Sequence, residues 1–239
     1  MADRRIGVNP FSYTERTLTE IEAALSHDRL QPYLDAAGGD RARALRLYLW
    51  NTAVSAAFYA PLQGLEVVLR NAIHHQLSGR YGSAWYENLD AGLDRGALER
   101  IRQAISELTR SGSPSDAPRI VSTLSFGFWV SLLGSGGRLE SGRKANYEMT
   151  LWRPALRQVF AHRTTLTRRQ AHGPLNELRV LRNRIAHHEP IFARNLTVDH
   201  ARIFEVMGWI SPEVRTWTAH HSQLPALLEL PRDAGTIQF

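Results

Sequence analysis

Apolar residues recur at intervals of three and four along most of the chain, and no alternating pattern of useful length marks a strand. Thr17-Leu18-Thr19-Glu20 reads as a capping box, opening a helix that carries Ile21, Leu25, Leu30 and Leu34 until Gly38-Gly39 breaks it. Asp40 caps the next segment, from Arg41 to about Tyr59, with Leu45, Leu49, Ala53 and Ala56 on one face. Pro61 then sits in the first turn of a new helix to about Tyr81, striped by Leu62, Leu65, Leu69 and Ile73. Asp94 to Arg110 is amphipathic through Leu98, Ile101, Ile105 and Leu108, and Ser115 to Leu133 reads as a buried helix around Phe126, Phe128 and Trp129. Gly134-Ser135-Gly136-Gly137 opens a loop that continues to Asn146. A short helix near 152–160 follows, then a helix from Thr167 to about His188. Thr197 caps one carrying Ile203, Val206 and Ile210, and Ser211-Pro212-Glu213 opens another. The pattern predicts an all-α helical bundle read as a single domain over 1–239. Its N-terminal helical half lies at about 14–111, the second half at about 115–222, and an irregular tail at 223–239.

Composition narrows the chemistry. The 239 residues include no cysteine, which excludes a disulfide scaffold, a thiolate zinc site, an iron–sulfur cluster and a cysteine nucleophile. No apolar run approaches the roughly 18–20 residues that span a bilayer. Residues 1–10 lack the apolar stretch of a signal peptide, so the expectation is a soluble cytoplasmic protein with no membrane partner. The net charge is +6, with 29 basic against 23 acidic residues, and Lys144 is the only lysine. A GC-rich coding sequence explains that bias. Its physical result is a surface rich in planar bidentate donors that suit phosphate, and hence nucleic acid.

The segment that carries chemistry runs from Leu178 to Pro190. Leu178, Leu181 and Ile185 point to the core, while Arg179, Asn183 and His187 recur at i, i+4, i+8 on the opposite side. Pro190 disfavours helical geometry at Glu189, so the helix ends near His188, where a protonated imidazole is favoured by roughly 0.3–1 kcal/mol. Arg182, Asn183 and His187 therefore form a polar cluster at a helix end. Arg182 lies about 140° from His187 on an ideal helix, so the two meet only if the last turn unwinds or a second subunit contributes.

Arg182-Asn183-Arg184-Ile185-Ala186-His187 is an R-N-x-x-x-H pattern and resembles the signature of HEPN-domain ribonucleases. Over roughly residues 10–210 the chain is similar to the Abi-like (abortive infection) family of bacterial HEPN proteins. The matching blocks are Tyr48-Leu49-Trp50-Asn51, Ala57-Phe58-Tyr59, Pro61-Leu62-Gln63 and Leu65-Glu66-Val67-Val68-Leu69-Arg70-Asn71. The resemblance implies a dimerising helical bundle that cleaves RNA without metal or other cofactor, as a toxin in phage defence or a toxin–antitoxin pair. In that reading the 2′-hydroxyl attacks the adjacent phosphate and leaves a cyclic phosphate end. Arg182 binds the scissile phosphate, His187 acts as general acid or base, and Asn183 orients the groups. The partners implied are RNA, a second copy of the chain, and an antitoxin protein or small RNA. The rival reading is a helical RNA- or protein-binding module that keeps the motif without cleavage.

Accessory candidates are His188, adjacent to His187, together with Arg179, Arg70, Asn71 and His74. Arg70-Asn71-Ala72-Ile73-His74-His75 echoes the later motif, and Glu66 stands one turn before Arg70, where an i, i+4 ion pair is available. That segment reads either as a second basic contact in the RNA cleft or as a structural network in which Glu66 holds Arg70. The Arg163, Arg168, Arg169 group is either a solvated face or a phosphate-steering patch. Gly137 through Lys144 only approximates a P-loop, with Arg143 in the lysine's place and no strand before it. The His74-His75, His187-His188 and His220-His221 pairs are adjacent rather than i, i+4, so no metal site is expected. No G-x-S-x-G supports a serine hydrolase.

Overall fold

A computed structural model of the chain describes residues 11–235 and residue 237. Ten α-helices follow one another among the described residues: α1 (Glu15–Leu25), α2 (His27–Ala36), α3 (Arg41–Tyr81), α4 (Arg95–Arg110), α5 (Ala117–Thr123), α6 (Phe126–Leu132), α7 (Arg168–Ala186), α8 (Leu196–Ile210), α9 (Pro212–His220) and α10 (Leu224–Glu229). Short 3-10 turns lie at Leu89–Ala91 and Leu156–Phe160, and a π-helical turn at Glu148–Trp152. One isolated bridge, Arg138 to Lys144, is the only β-pairing among the described residues, so the all-α expectation holds. The contacts divide the chain into two compact units. Of the described residues, 11–60, 184–197 and those from 222 on form the first; 61–183 and 198–221 form the second.

In the first unit α1 opens three residues earlier than the capping box suggests. Thr14 has extended dihedrals and its hydroxyl accepts from the Thr17 N–H at 3.2 Å, so Thr14 is the cap and Thr17 lies inside the helix. Ser26, at φ 73°, then ends α1 and separates it from α2, where the spacing predicts one helix. Leu18, Leu30 and Leu45 form a core with Tyr13, Ile21, Leu25, Leu34, Ala42 and Tyr48 packed against it. Arg41 fastens the start of α3 to α1 through Glu15 and Glu22, each at 2.7 Å. The tail expected to be irregular forms α10 over its first residues.

The largest departure is α3. Pro61 lies inside one continuous helix rather than opening a second. A proline there removes a hydrogen bond and crowds the preceding turn, at a cost of about 3 kcal/mol. Leu62, Leu65, Leu69, Ile73 and Leu77 follow it on one buried face, and each is worth about 1.5–3 kcal/mol when fully buried, which exceeds that cost. Because Pro61 does not divide it, α3 is long and apolar enough to cross a bilayer by length and composition, contrary to the expectation. A buried core helix passes the same test.

In the second unit α4 starts as expected at the Asp94 cap, whose carboxylate accepts from the Ala97 N–H at 2.8 Å. Its other oxygen accepts from Gly137 at 2.5 Å and so anchors the 134–146 loop. A Cβ at Gly137 would meet that oxygen at 3.1 Å, so any side chain there would push the carboxylate by a few tenths of an ångström. The single helix expected over Ser115–Leu133 is two, because Leu124 turns extended and Ser125 caps α6. Trp85, Phe128 and Trp129 are buried together, tilted or edge-on to one another with centroids 5.0–6.4 Å apart. α7 opens on a capping box: Thr167 accepts from the Gln170 N–H at 3.3 Å, and the Gln170 side chain accepts from the Thr167 N–H at 2.9 Å. α8 begins at Leu196, so Thr197 lies within it instead of capping it, whereas Ser211 caps α9 as expected.

Candidate functional site

Ala171, Leu175, Leu178 and Leu181 are the buried stripe of α7, one turn N-terminal of the expected one, and Ile185 is only half-buried. That stripe leaves Arg179, Arg182 and Asn183 half-buried beside the core. Arg182 and Asn183 belong to the second unit, His187 and His188 to the first.

Arg182 faces Glu66 of α3, with Nε 3.8 Å from the carboxylate; the two side chains are 40% and 22% exposed. Its guanidinium hydrogen-bonds to no described residue and is part-exposed. This pairing takes the place of the i, i+4 bridge that one of the two readings of the segment supposed. Glu66 holds Arg182, not Arg70, and Arg70 turns its Nε to the Asn71 side chain at 3.4 Å. Arg179 is held by Asn176 of its own helix at 3.0 Å, and its side chain passes the open face of Gly127. Neither Arg70 nor Arg179 has a carboxylate partner among the described residues.

His74 serves the core instead. Its Nδ1 accepts from the Trp85 indole N–H at 3.1 Å and lies 3.4 Å from the Ser78 hydroxyl. Burial, with a smaller contribution from His75, pushes its pKa below the ordinary histidine value. Sequence reasoning passed over His172 of α7, where burial and the neighbouring Arg168 and Arg179 lower the pKa in the same way. The Arg163, Arg168, Arg169 group is largely committed to protein contacts. Arg163 pairs with Glu205 at 3.0 Å and stacks on Trp209 at 4.8 Å, and Arg168 pairs with Glu148 at 3.1 Å and donates to the Leu133 carbonyl. Only Arg169 stays exposed and unpaired among the described residues.

The helix end is built around His188. The His188 N–H donates to the Ile185 carbonyl at 3.0 Å and the Glu189 N–H to the Arg184 carbonyl at 2.8 Å. That is a Schellman cap, in which the residue at the His188 position must turn left-handed and is usually glycine. His188 adopts φ 57°. α7 therefore stops at Ala186 and leaves His187 and His188 exposed beyond it. The Arg29 guanidinium donates to the His188 carbonyl, and Arg184 pairs with Glu189 at 3.1 Å. Beyond Pro190, the buried Asn51 side chain accepts from the N–H groups of Ile191 and Phe192, at 2.8 and 3.1 Å. The chain leaving the motif is thus pinned by an asparagine whose part in the sequence is only one position in a matching block.

Because Arg29 reaches the backbone of His188 and not its ring, the side chain itself is dispensable to the cap. Replacing His188 with glycine is expected to relieve about 0.5–1 kcal/mol of left-handed strain, raising Tm by about 1–4 °C. Thermal melts of the two chains check this; a lowered Tm would show that the imidazole stabilises the helix end.

Among the described residues no three His, Cys, Asp or Glu side chains gather as a metal site. His220 and His221 stack against each other at 5.0 Å on α9 and its end, without a third ligand. The stretch Gly137–Lys144 folds back on itself through the Arg138–Lys144 bridge. Set against known proteins, the chain matches no family model, no curated protein and no solved structure.

Proposed function

We propose that the chain is a HEPN-type endoribonuclease of the Abi-like kind, cleaving RNA by attack of a 2′-hydroxyl on the neighbouring phosphate. The observation that carries this reading is Arg182: a part-exposed guanidinium facing Glu66 across 3.8 Å, five residues before an exposed histidine just past the end of the same helix. A guanidinium fork grips phosphate with paired charge-assisted hydrogen bonds, and such donors stabilise the charge on the phosphoryl oxygens in the transition state. Imidazole suits proton transfer near neutral pH because the side chain's unperturbed pKa is about 6.5. Asn183 orients the groups between them. Half-buried Arg70 and Arg179, free of carboxylates, extend a basic lining for the strand. The setting that goes with this chemistry is phage defence or a toxin–antitoxin pair, in which an antitoxin protein or small RNA restrains the enzyme.

In-line attack takes a proton from one oxygen and gives one to another, and a single imidazole does only one of these at a time. A second copy of the chain is one source of the second group. None of these steps calls on a metal ion. Cleavage of single-stranded RNA is therefore expected to run at the same rate with excess chelator present. Loss of activity in chelator, restored by magnesium or zinc, would overturn the mechanism.

A further inference from the structure

Glu66 is an unusual carboxylate for its place. It is 22% exposed on α3, next to the buried stripe of Leu62, Leu65 and Leu69. Removing a carboxylate from water is costly unless hydrogen bonds replace the lost hydration. Yet Glu66 accepts no hydrogen bond from any described residue, and its only ion-pair partner among them, Arg182, stands off at 3.8 Å. The same molecule shows what a purely structural pair looks like. Arg41 meets Glu22 with two hydrogen bonds, at 2.7 and 2.9 Å, and uses up both carboxylate oxygens. The Glu66 oxygens keep their acceptor capacity, and they keep it beside the guanidinium assigned to the scissile phosphate.

The geometry points to Glu66 as the general base of the ribonuclease reaction, acting beside the phosphate that Arg182 holds. This rests on the ribonuclease reading above. The 2′-hydroxyl gives its proton to the Glu66 carboxylate as O2′ forms its bond to phosphorus. The bond from phosphorus to O5′ breaks, and O5′ takes a proton from the imidazolium of His187. The products are a 2′,3′-cyclic phosphate and a 5′-hydroxyl. Glu66 then releases its proton to solvent and His187 regains one, so no water, metal ion or oxidant is consumed. The charged groups around Glu66 are Arg182 on α7 and, one turn along its own helix, Arg70, which is turned to Asn71.

A carboxylate that merely steadied Arg182 would be largely replaceable by an amide, because the glutamine oxygen presents its partial negative charge to the guanidinium from the same place. A base is not replaceable in that way. Glu66→Gln, Glu66→Asp and the parent chain are compared on single-stranded RNA across pH, with RNA affinity and Tm measured alongside. The expected result is a Glu66→Gln chain that binds RNA at least as tightly as the parent but cleaves it about 10²–10⁴-fold more slowly. Its rate no longer falls towards low pH as the parent's does, whereas Glu66→Asp keeps that fall and part of the rate. A Glu66→Gln rate within about threefold of the parent, or an unchanged two-sided pH profile, overturns the assignment. If Glu66→Gln does not fold, Glu66→Asp decides: lowered kcat at parental RNA affinity supports the assignment, and parental kcat overturns it. A parent chain that cleaves no RNA overturns the ribonuclease reading and this assignment together, whereas a parent that cleaves beside an equally active Glu66→Gln overturns this assignment alone.

Discussion

Replacing His187 with alanine is expected to abolish RNA cleavage while leaving thermal unfolding and RNA binding where they are in the parent chain. The side chain is exposed just past the last residue of α7, so its removal uncovers no core. Surface substitutions of this kind stay within about 0.5 kcal/mol, which for a chain of this length moves Tm by no more than about 2 °C. Affinity should also persist, because the phosphate contact is assigned to Arg182. The loss falls on the rate, at about 10²–10⁴-fold for a group that transfers a proton in the transition state. His188→Gly is the companion experiment: it shares the exposure of His187, and its rate is expected to stay near the parent's. If the two variants lost activity equally, the imidazole at 188 would share the chemistry. A His187→Ala chain that cleaved like the parent would remove the motif from the reaction.

The second large effect falls on stability. Asn51 is buried in α3, and its carbonyl oxygen is the acceptor for two consecutive backbone N–H groups, those of Ile191 and Phe192. Asn51→Ala strands both donors, and Ile191 has no exposure through which water could replace the lost acceptor. Each unsatisfied buried donor costs about 1–3 kcal/mol, so the variant is expected to lose about 2–5 kcal/mol. At about 2–4 °C per kcal/mol the melt falls by about 4–20 °C. Gln63→Ala, on an exposed position of the same helix, is the control and should melt with the parent. A Tm for Asn51→Ala within about 2 °C of the parent would show that the segment after Pro190 is held by something other than this asparagine.

What the sequence shows of this molecule depends on how local each feature is. Asp94 before an amphipathic run and Ser211 before proline each define a helix start within four residues, and both starts are where the pattern places them. Pro61 misleads for the opposite reason. Its local rule favours a helix start, but the burial of five apolar residues beyond it decides the matter, and burial is a tertiary quantity. Ser125 errs the other way: the unbroken apolar content around it hides a cap that only the extended backbone at Leu124 reveals. In the candidate site, the helix end near His188 is legible from Pro190, but the left-handed turn at His188 is not, since histidine carries no signal for it. The Glu66 misreading is the most instructive. The i, i+4 rule pairs it with Arg70, four residues on, while the actual partner is Arg182 on another helix.

The central claim is that RNA is cleaved by its own 2′-hydroxyl under the control of Arg182 and His187, and the chemistry of the new ends tests it most directly. Purified chain is incubated with a single-stranded RNA of defined sequence, and the fragments are resolved by mass spectrometry. The account predicts 2′,3′-cyclic phosphate on the upstream fragment and a 5′-hydroxyl on the downstream one, both missing with His187→Ala. Fragments ending in 3′-hydroxyl and 5′-phosphate, or intact RNA with the folded parent chain, would contradict it.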